Sequence, residues 1–253
     1  MKIDKITKNK NGKYKIVFDN KESITTYDDV ILNNGILFKK ELSSEEINKI
    51  TNDSNYYDVY NKTIKFISVK MRSEKEIIKF LEKKEITVQE KGQIILKLKE
   101  IKLINDEKFA HAYFQDRINL SNDGPDKIKQ DLINNDISDS IIEEIYDKLD
   151  QATIYEKLDK LIQKKIKINH SKSNFMLKQK IVYDMVNMGY DKTMIIDILE
   201  KRLTNNTNII NNEYLKLKHK LSKKFSEEEL ERKIIQKLQQ KGFSFEEIKK
   251  INN

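Results

Sequence analysis

The 253-residue chain is 36% charged and 38% hydrophobic, which supplies enough apolar side chains for a packed core and none to spare for a lipid-facing surface. No run of about 18 uncharged apolar residues occurs, and residues 1–20 interleave lysine with isoleucine and asparagine, so neither membrane insertion nor secretion is expected. Zero cysteines exclude disulfides, thiolate metal sites and cysteine nucleophiles, which fits a protein of the reducing cytoplasm.

The net charge of +8 is uneven: residues 1–57 carry +1, residues 58–150 carry −2 and residues 151–253 carry +9. An excess confined to one end predicts a polyanion or an acidic protein surface as partner, although a general preference for lysine would also produce it. Arginine occurs only at Arg72, Arg117, Arg202 and Arg232.

In chain order, the runs 2–7 and 13–18 are short and rich in β-branched or aromatic residues, and they are separated by Asn9-Lys-Asn-Gly12, the pattern of a β-hairpin. Residues 23–26 predict a third strand, residues 28–32 a helical turn stopped by Asn34-Gly35, and Ser43 to Glu46 the capping-box start of a further helix. From about residue 57 the apolar residues recur with a period of 3.6, so the remainder is predicted to be helical.

Within that remainder the chain repeats itself. Leu81, Leu132, Met185 and Leu238 lie 51, 53 and 53 residues apart, and each has isoleucine four positions earlier, at Ile77, Ile128, Ile181 and Ile234. That spacing puts each pair on one helical face. Five residues after each anchor comes Ile86, Ile137, Tyr190 or Phe243, preceded by Glu85, Asp136, Gly189 or Gly242, which reads as a helix end and a tight turn. Thr87 to Glu90 and Ser244 to Glu247 then open new helices with capping-box spacing.

A period near 50 residues predicts three helices per repeat. Ser173 and Ser226 precede their anchors by 12 residues, Ser73 and Gly124 by 8, which predicts one extra turn in the middle helix of repeats 3 and 4. The fold class is therefore mainly α: tandem three-helix repeats forming an elongated modular stack behind a small N-terminal domain containing a β-hairpin. The expected division is 1–57 for the N-terminal domain, then repeats at 58–104, 105–152, 153–205 and 206–253, the last one partial.

Catalytic constellations are missing from the pattern. The six glycines never cluster into a phosphate loop, and His111, His170 and His219 fall at different phases of the repeat, so no recurring ligand face forms. Asp106 and Glu107 suit the start of a helix. Phe109, Tyr113 and Phe114 have the spacing of a buried face as much as of a base-stacking platform. No enzyme activity, cofactor or metal is expected.

The stretch Thr63-Ile-Lys-Phe-Ile-Ser-Val-Lys-Met-Arg-Ser-Glu-Lys-Glu-Ile77 resembles the opening repeat of the RecX family of RecA regulators. Residues 103–113, continuing through Arg117 to Gly124-Pro-Asp-Lys-Ile-Lys-Gln-Asp-Leu132, resemble that family's most recognisable segment, and residues 225–243 are similar to the closing repeat of its longer members. Met71 stands where the family often has proline, and Asn134, Asn135 and Asp136 replace its usual basic residue and glycine. The resemblance implies a cytoplasmic monomer that lodges in the groove of the RecA–single-stranded DNA filament and restrains ATP hydrolysis, strand exchange and filament growth in recombination, DNA repair and the SOS response.

Two sets of residues are candidates for binding. Arg72, Arg117, Lys127 and Lys129 are basic positions between the apolar anchors, coincide with basic positions of the resembling segments and are expected to meet the protein partner. Internal pairing of the two arginines with neighbouring acids is the competing reading. Lys216, Lys218, Lys220, Lys223 and Lys224 crowd one segment of the basic C-terminal half, and the alternative function is a stand-alone nucleic-acid-binding protein that uses them.

Overall fold

The computed structural model describes residues 1–10, 12–169, 171–203 and 207–251. Asn11 of the predicted hairpin turn and His170 lie outside them. The chain resolves into two compact units: residues 1–110 with 135–137, and residues 111–134 with 138–253.

The first unit opens with a three-stranded antiparallel sheet in the order β1 (Ile3–Lys8), β2 (Tyr14–Phe18), β3 (Ser23–Thr26). Ile6 pairs with Ile16 and Ile16 with Ile24, so the alternation of the strands delivers Ile16 and Phe18 to one buried face. They pack with Val30 and Ile31 of α1 (Asp28–Asn33), Ile36 of a short 3-10 turn, Leu42, and Ile50 of α2 (Ser44–Val69). Gly35 sits in the left-handed region between α1 and that turn, as predicted for a helix stop.

Ser43 forms the predicted capping box with Glu46, and nothing in the following sequence breaks the helix, so α2 runs for 26 residues. The expected boundary between residues 57 and 58 thus falls inside one continuous helix. Asp58 accepts hydrogen bonds from Lys13 and Tyr27, at 3.0 and 2.8 Å. Partial burial alone would raise its carboxyl, but these bonds and Lys62 outweigh that and hold it well below the carboxylate range.

Downstream the helices come in threes. After α2 come α3 (Glu74–Glu82) and α4 (Val88–Glu100), then α5 (Asp106–Leu120), α6 (Pro125–Asn134) and α7 (Asp139–Asp147). The last six are α8 (Gln151–Lys167), α9 (Asn174–Asn187), α10 (Lys192–Arg202), α11 (Thr207–Leu221), α12 (Glu227–Gln240) and α13 (Phe245–Lys249). All eight anchor residues, from Ile77 and Leu81 to Ile234 and Leu238, are at most 1% exposed. The middle helices α9 and α12 have 14 residues against 9 and 10 in α3 and α6, the extra turn predicted from the serine offsets. No described helix is long and apolar enough to cross a membrane.

The turns after α6, α9 and α12 have a definite task. In the second unit, the Gly124 and Asp126 amides donate to the Met188 and Gly189 carbonyls at 2.6 and 3.0 Å, and the Ser173 amide donates to the Lys241 carbonyl at 3.2 Å. The turn that ends one middle helix therefore seats on the start of the middle helix one repeat earlier. Gly189 and Gly242 both have φ +85, and a Cβ on Gly124 would lie 2.4 Å from the Gly189 oxygen, so glycine is required at this approach. Lys157 reinforces the contact from below, its ammonium donating to the carbonyls of Ile118 and Asp123 at 2.6 and 3.1 Å.

In the first unit, Asp136 takes the left-handed conformation at φ 58 without being glycine. Ser73 Oγ donates to Asn135 Oδ1 at 3.0 Å, and Lys75 pairs with Asp136 at 2.7 Å. The substitutions at Asn135 and Asp136 are therefore occupied in internal contacts.

Candidate partner-binding site

Arg72 follows α2 just before Ser73, the N-cap of α3, and is half-enclosed. Its Nη1 donates to Glu76 at 3.0 Å and its guanidinium lies 4.0 Å above the Phe66 ring. Phe66 in turn stacks on Phe80, ring centroids 4.3 Å apart and 9° from parallel, and the Lys84 ammonium covers the far face at 4.2 Å. The result is a column of cation, two rings and cation, which holds the arginine by π-stacking as well as by its acid. Burial opposes ionisation of Glu76, but the Arg72 hydrogen bond and the Ser73 amide outweigh it and leave its carboxyl below the ordinary value.

Arg117, on the last turn of α5, faces two acids of the second unit. Its Nη2 lies 2.7 Å from Asp123 and 3.3 Å from Asp131, and Lys127 reaches the other Asp123 oxygen at 2.8 Å. Tyr113 donates to Asp131 at 2.8 Å; burial, then that bond, push its hydroxyl up to about 12. Burial raises the Asp123 carboxyl, yet hydrogen bonds from Lys127 and Ser121 and the charge of Arg117 bring it below the usual range. Two cations thus share the one buried carboxylate of Asp123. Lys129 is exposed, with its ammonium 5.6 Å above the Tyr146 ring.

Arg117 and Lys127 are therefore brought together, whereas Arg72 occupies a setting of its own in the first unit. In both guanidinium groups one edge is committed to acids and the buried Nε has no hydrogen-bond partner among the described residues. Sequence reasoning did not identify Asp123 and Asp131 as the acids that hold Arg117, nor Phe66 beneath Arg72. The i,i+4 spacing of Asp123 and Lys127 was the legible signal, and the ring contact had none.

Phe109 and Phe114 are buried, so the base-stacking alternative for that triplet gives way to core packing. Asp106 caps a different helix from its own, its carboxylate accepting the Glu74 amide of α3 at 2.8 Å. The five C-terminal lysines are all exposed. Lys216 lies 3.2 Å from the buried Glu213, and Lys218 lies above the Tyr214 ring at 5.8 Å. Lys216 and Lys220 share a face of α11, Lys218 projects from another, and Lys223 and Lys224 lie in the turn beyond the helix.

Residues 105–145 match the family described as RecX, second three-helix domain, and residues 212–251 that described as RecX, third three-helix domain. The chain is 32% identical to Regulatory protein RecX of Oceanobacillus iheyensis over 213 residues, covering 82% of this chain and 78% of the relative. With Regulatory protein RecX of Streptococcus agalactiae serotype III it shares 31% identity over 258 aligned residues, 98% of this chain and 97% of the other. A crystal structure of regulatory protein RecX superposes with a TM-score of 0.64 at 25% identity, covering 79% of this chain and 98% of the other. A RecX from Lactobacillus salivarius does so with a TM-score of 0.52 at 26% identity, over 58% and 96%.

Proposed function

The chain belongs to the RecX family of regulatory proteins, and on that premise we propose that it binds RecA and the RecA–single-stranded DNA filament in the cytoplasm and restrains filament growth, ATP hydrolysis and strand exchange. It acts as a monomer and by occupancy alone, with no catalytic step, cofactor or metal of its own. The observation that carries this reading is the likeness to Regulatory protein RecX along 98% of the chain. The tandem repeats supply a physical reason, since several weak contacts made by successive repeats on a periodic filament multiply through effective concentration.

Arg72, Arg117, Lys127 and Lys129 are the proposed contact residues. Lys127 and Lys129 are the exposed members, and the shared carboxylate of Asp123 holds Lys127 and Arg117 in place for a partner's acids. The test is the ATPase rate of RecA on single-stranded DNA with substoichiometric protein. The natural chain is expected to slow it, and Lys127→Glu with Lys129→Glu to weaken that effect more than Lys223→Glu with Lys224→Glu. An unchanged rate at equimolar protein and low salt overturns the reading.

The second reading, direct nucleic-acid binding, is favoured by the exposure of all five lysines from Lys216 to Lys224. Affinity for single-stranded DNA without RecA should then fall steeply with salt. A flat or undetectable response rejects it.

A further inference from the structure

Repeat 3 differs from its siblings on one outward face. α9 carries Phe175, Val182, Tyr183 and Val186 at −10, −3, −2 and +1 from its anchor Met185. At the same offsets repeat 1 has Met71, Ile78, Lys79 and Glu82, repeat 2 has Asn122, Lys129, Gln130 and Ile133, and repeat 4 has Glu228, Ile235, Gln236 and Gln239. The three-helix repeat thus folds with mostly polar residues at these positions, and its own packing does not call for four apolar ones. Tyr183 is 70% exposed, Phe175 63% and Val186 43%.

Their spacing gathers them on one side of α9, where with Ile196 of α10 they line a groove of about 580 Å³. Two ammonium groups edge it: Lys192 is exposed, and Lys178 has only a loose pairing with Glu200 at 3.6 Å. A contiguous apolar patch rimmed by charge is the mark of an interaction surface.

We propose that this groove docks an amphipathic segment of the protein partner, its apolar side chains against Phe175, Val182, Tyr183 and Val186 and its acidic side chains against Lys178 and Lys192. A helix laying a stripe of residues into an apolar groove is a general mode of peptide recognition. The aliphatic floor fits aliphatic or aromatic side chains of a peptide. Phe175 and Tyr183 offer ring faces, but a nucleic-acid strand would also need a basic track along its backbone, and two lysines do not make one. The proposal rests on the reading above in taking the RecA filament as the source of the segment.

Phe175→Glu, Tyr183→Gln and Val186→Gln together give α9 the residues that repeat 4 carries at those offsets, so the variant is expected to fold, as circular dichroism and melting would verify. Tyr183→Gln alone, at the most exposed of these side chains, serves if the triple variant is unstable. Co-sedimentation with RecA filaments preformed on single-stranded DNA should show binding at least tenfold weaker for the triple variant and about threefold weaker for Lys192→Glu, with affinity for free single-stranded DNA unchanged. The groove assignment is overturned if the triple variant binds filaments like the natural chain, if its affinity for free DNA falls in parallel, or if the natural chain proves to be an oligomer that these substitutions dissociate. Failure of the natural chain itself to sediment with filaments would instead reject the function proposed above, and this assignment with it.

Discussion

The turns that follow the anchor helices α6, α9 and α12 are built in two ways. At residues 188–190 and 241–243 a glycine supplies the left-handed conformation, and the backbone comes within hydrogen-bonding distance of the helix start that receives it. At residues 135–137 an aspartate supplies the same conformation, and the contact is made by side chains, Asn135 with Ser73 and Asp136 with Lys75. The Gly189 seat has nowhere to relax, because what surrounds it and Gly124 is mostly main chain, whereas Gly242 faces the side chains of Met176 and Ser173. An aspartate seat depends on a hydrogen bond and a partly exposed ion pair, which can each be lost singly.

The two should therefore break very differently. Gly124→Ala should be the most damaging change, because the three atoms its Cβ would meet, at 2.4 to 2.8 Å, are all backbone; a loss of about 3–4 kcal/mol in urea unfolding is expected. Gly242→Ala should cost about 2–3 kcal/mol, since the left-handed strain remains but the nearest obstacle is the flexible Met176 side chain. Asp136→Ala should cost about 1–2 kcal/mol, from a left-handed alanine and the lost ion pair. Asp136→Gly should stay within about 0.5 kcal/mol of the natural chain, because relief of strain offsets the lost pair. If Asp136→Gly destabilises as much as Asp136→Ala, the side chain and not the backbone conformation is what the turn requires.

The smallest effect is in pH. Asp123 and Glu213 in the second unit are held below their ordinary carboxyl values. For Glu213, burial opposes the shift and the hydrogen bonds of Lys241 and Lys216 outweigh it. A carboxyl depressed in the folded state contributes stability that is present above its unfolded value, near pH 4, and is lost as pH falls through the folded value. Unfolding midpoints should therefore be flat from pH 7 to 5 and decline below about 4, less steeply in Glu213→Gln. An equal decline in that variant would show that Glu213 contributes nothing to the acid response.

Much of this was legible along the chain. Capping boxes at Ser43, Thr87 and Ser244, the eight buried anchors and the long middle helices α9 and α12 all follow from spacing within a few turns of helix. The binding candidates were less legible. Arg72 and Arg117 stand out as rare arginines, but whether a guanidinium meets a ring, an acid or solvent depends on residues brought in by other parts of the fold.

The sequence by itself determined the buried face of each anchor helix and the positions of the turns that follow, because helix formation and capping are decided by neighbours three or four residues away. Tertiary structure alone decided that Asn135 meets Ser73, that Phe66 and Phe80 carry Arg72, and that the apolar face of α9 stays open. Those pairings join residues of different elements, and no local period encodes which side chain of another element completes a contact.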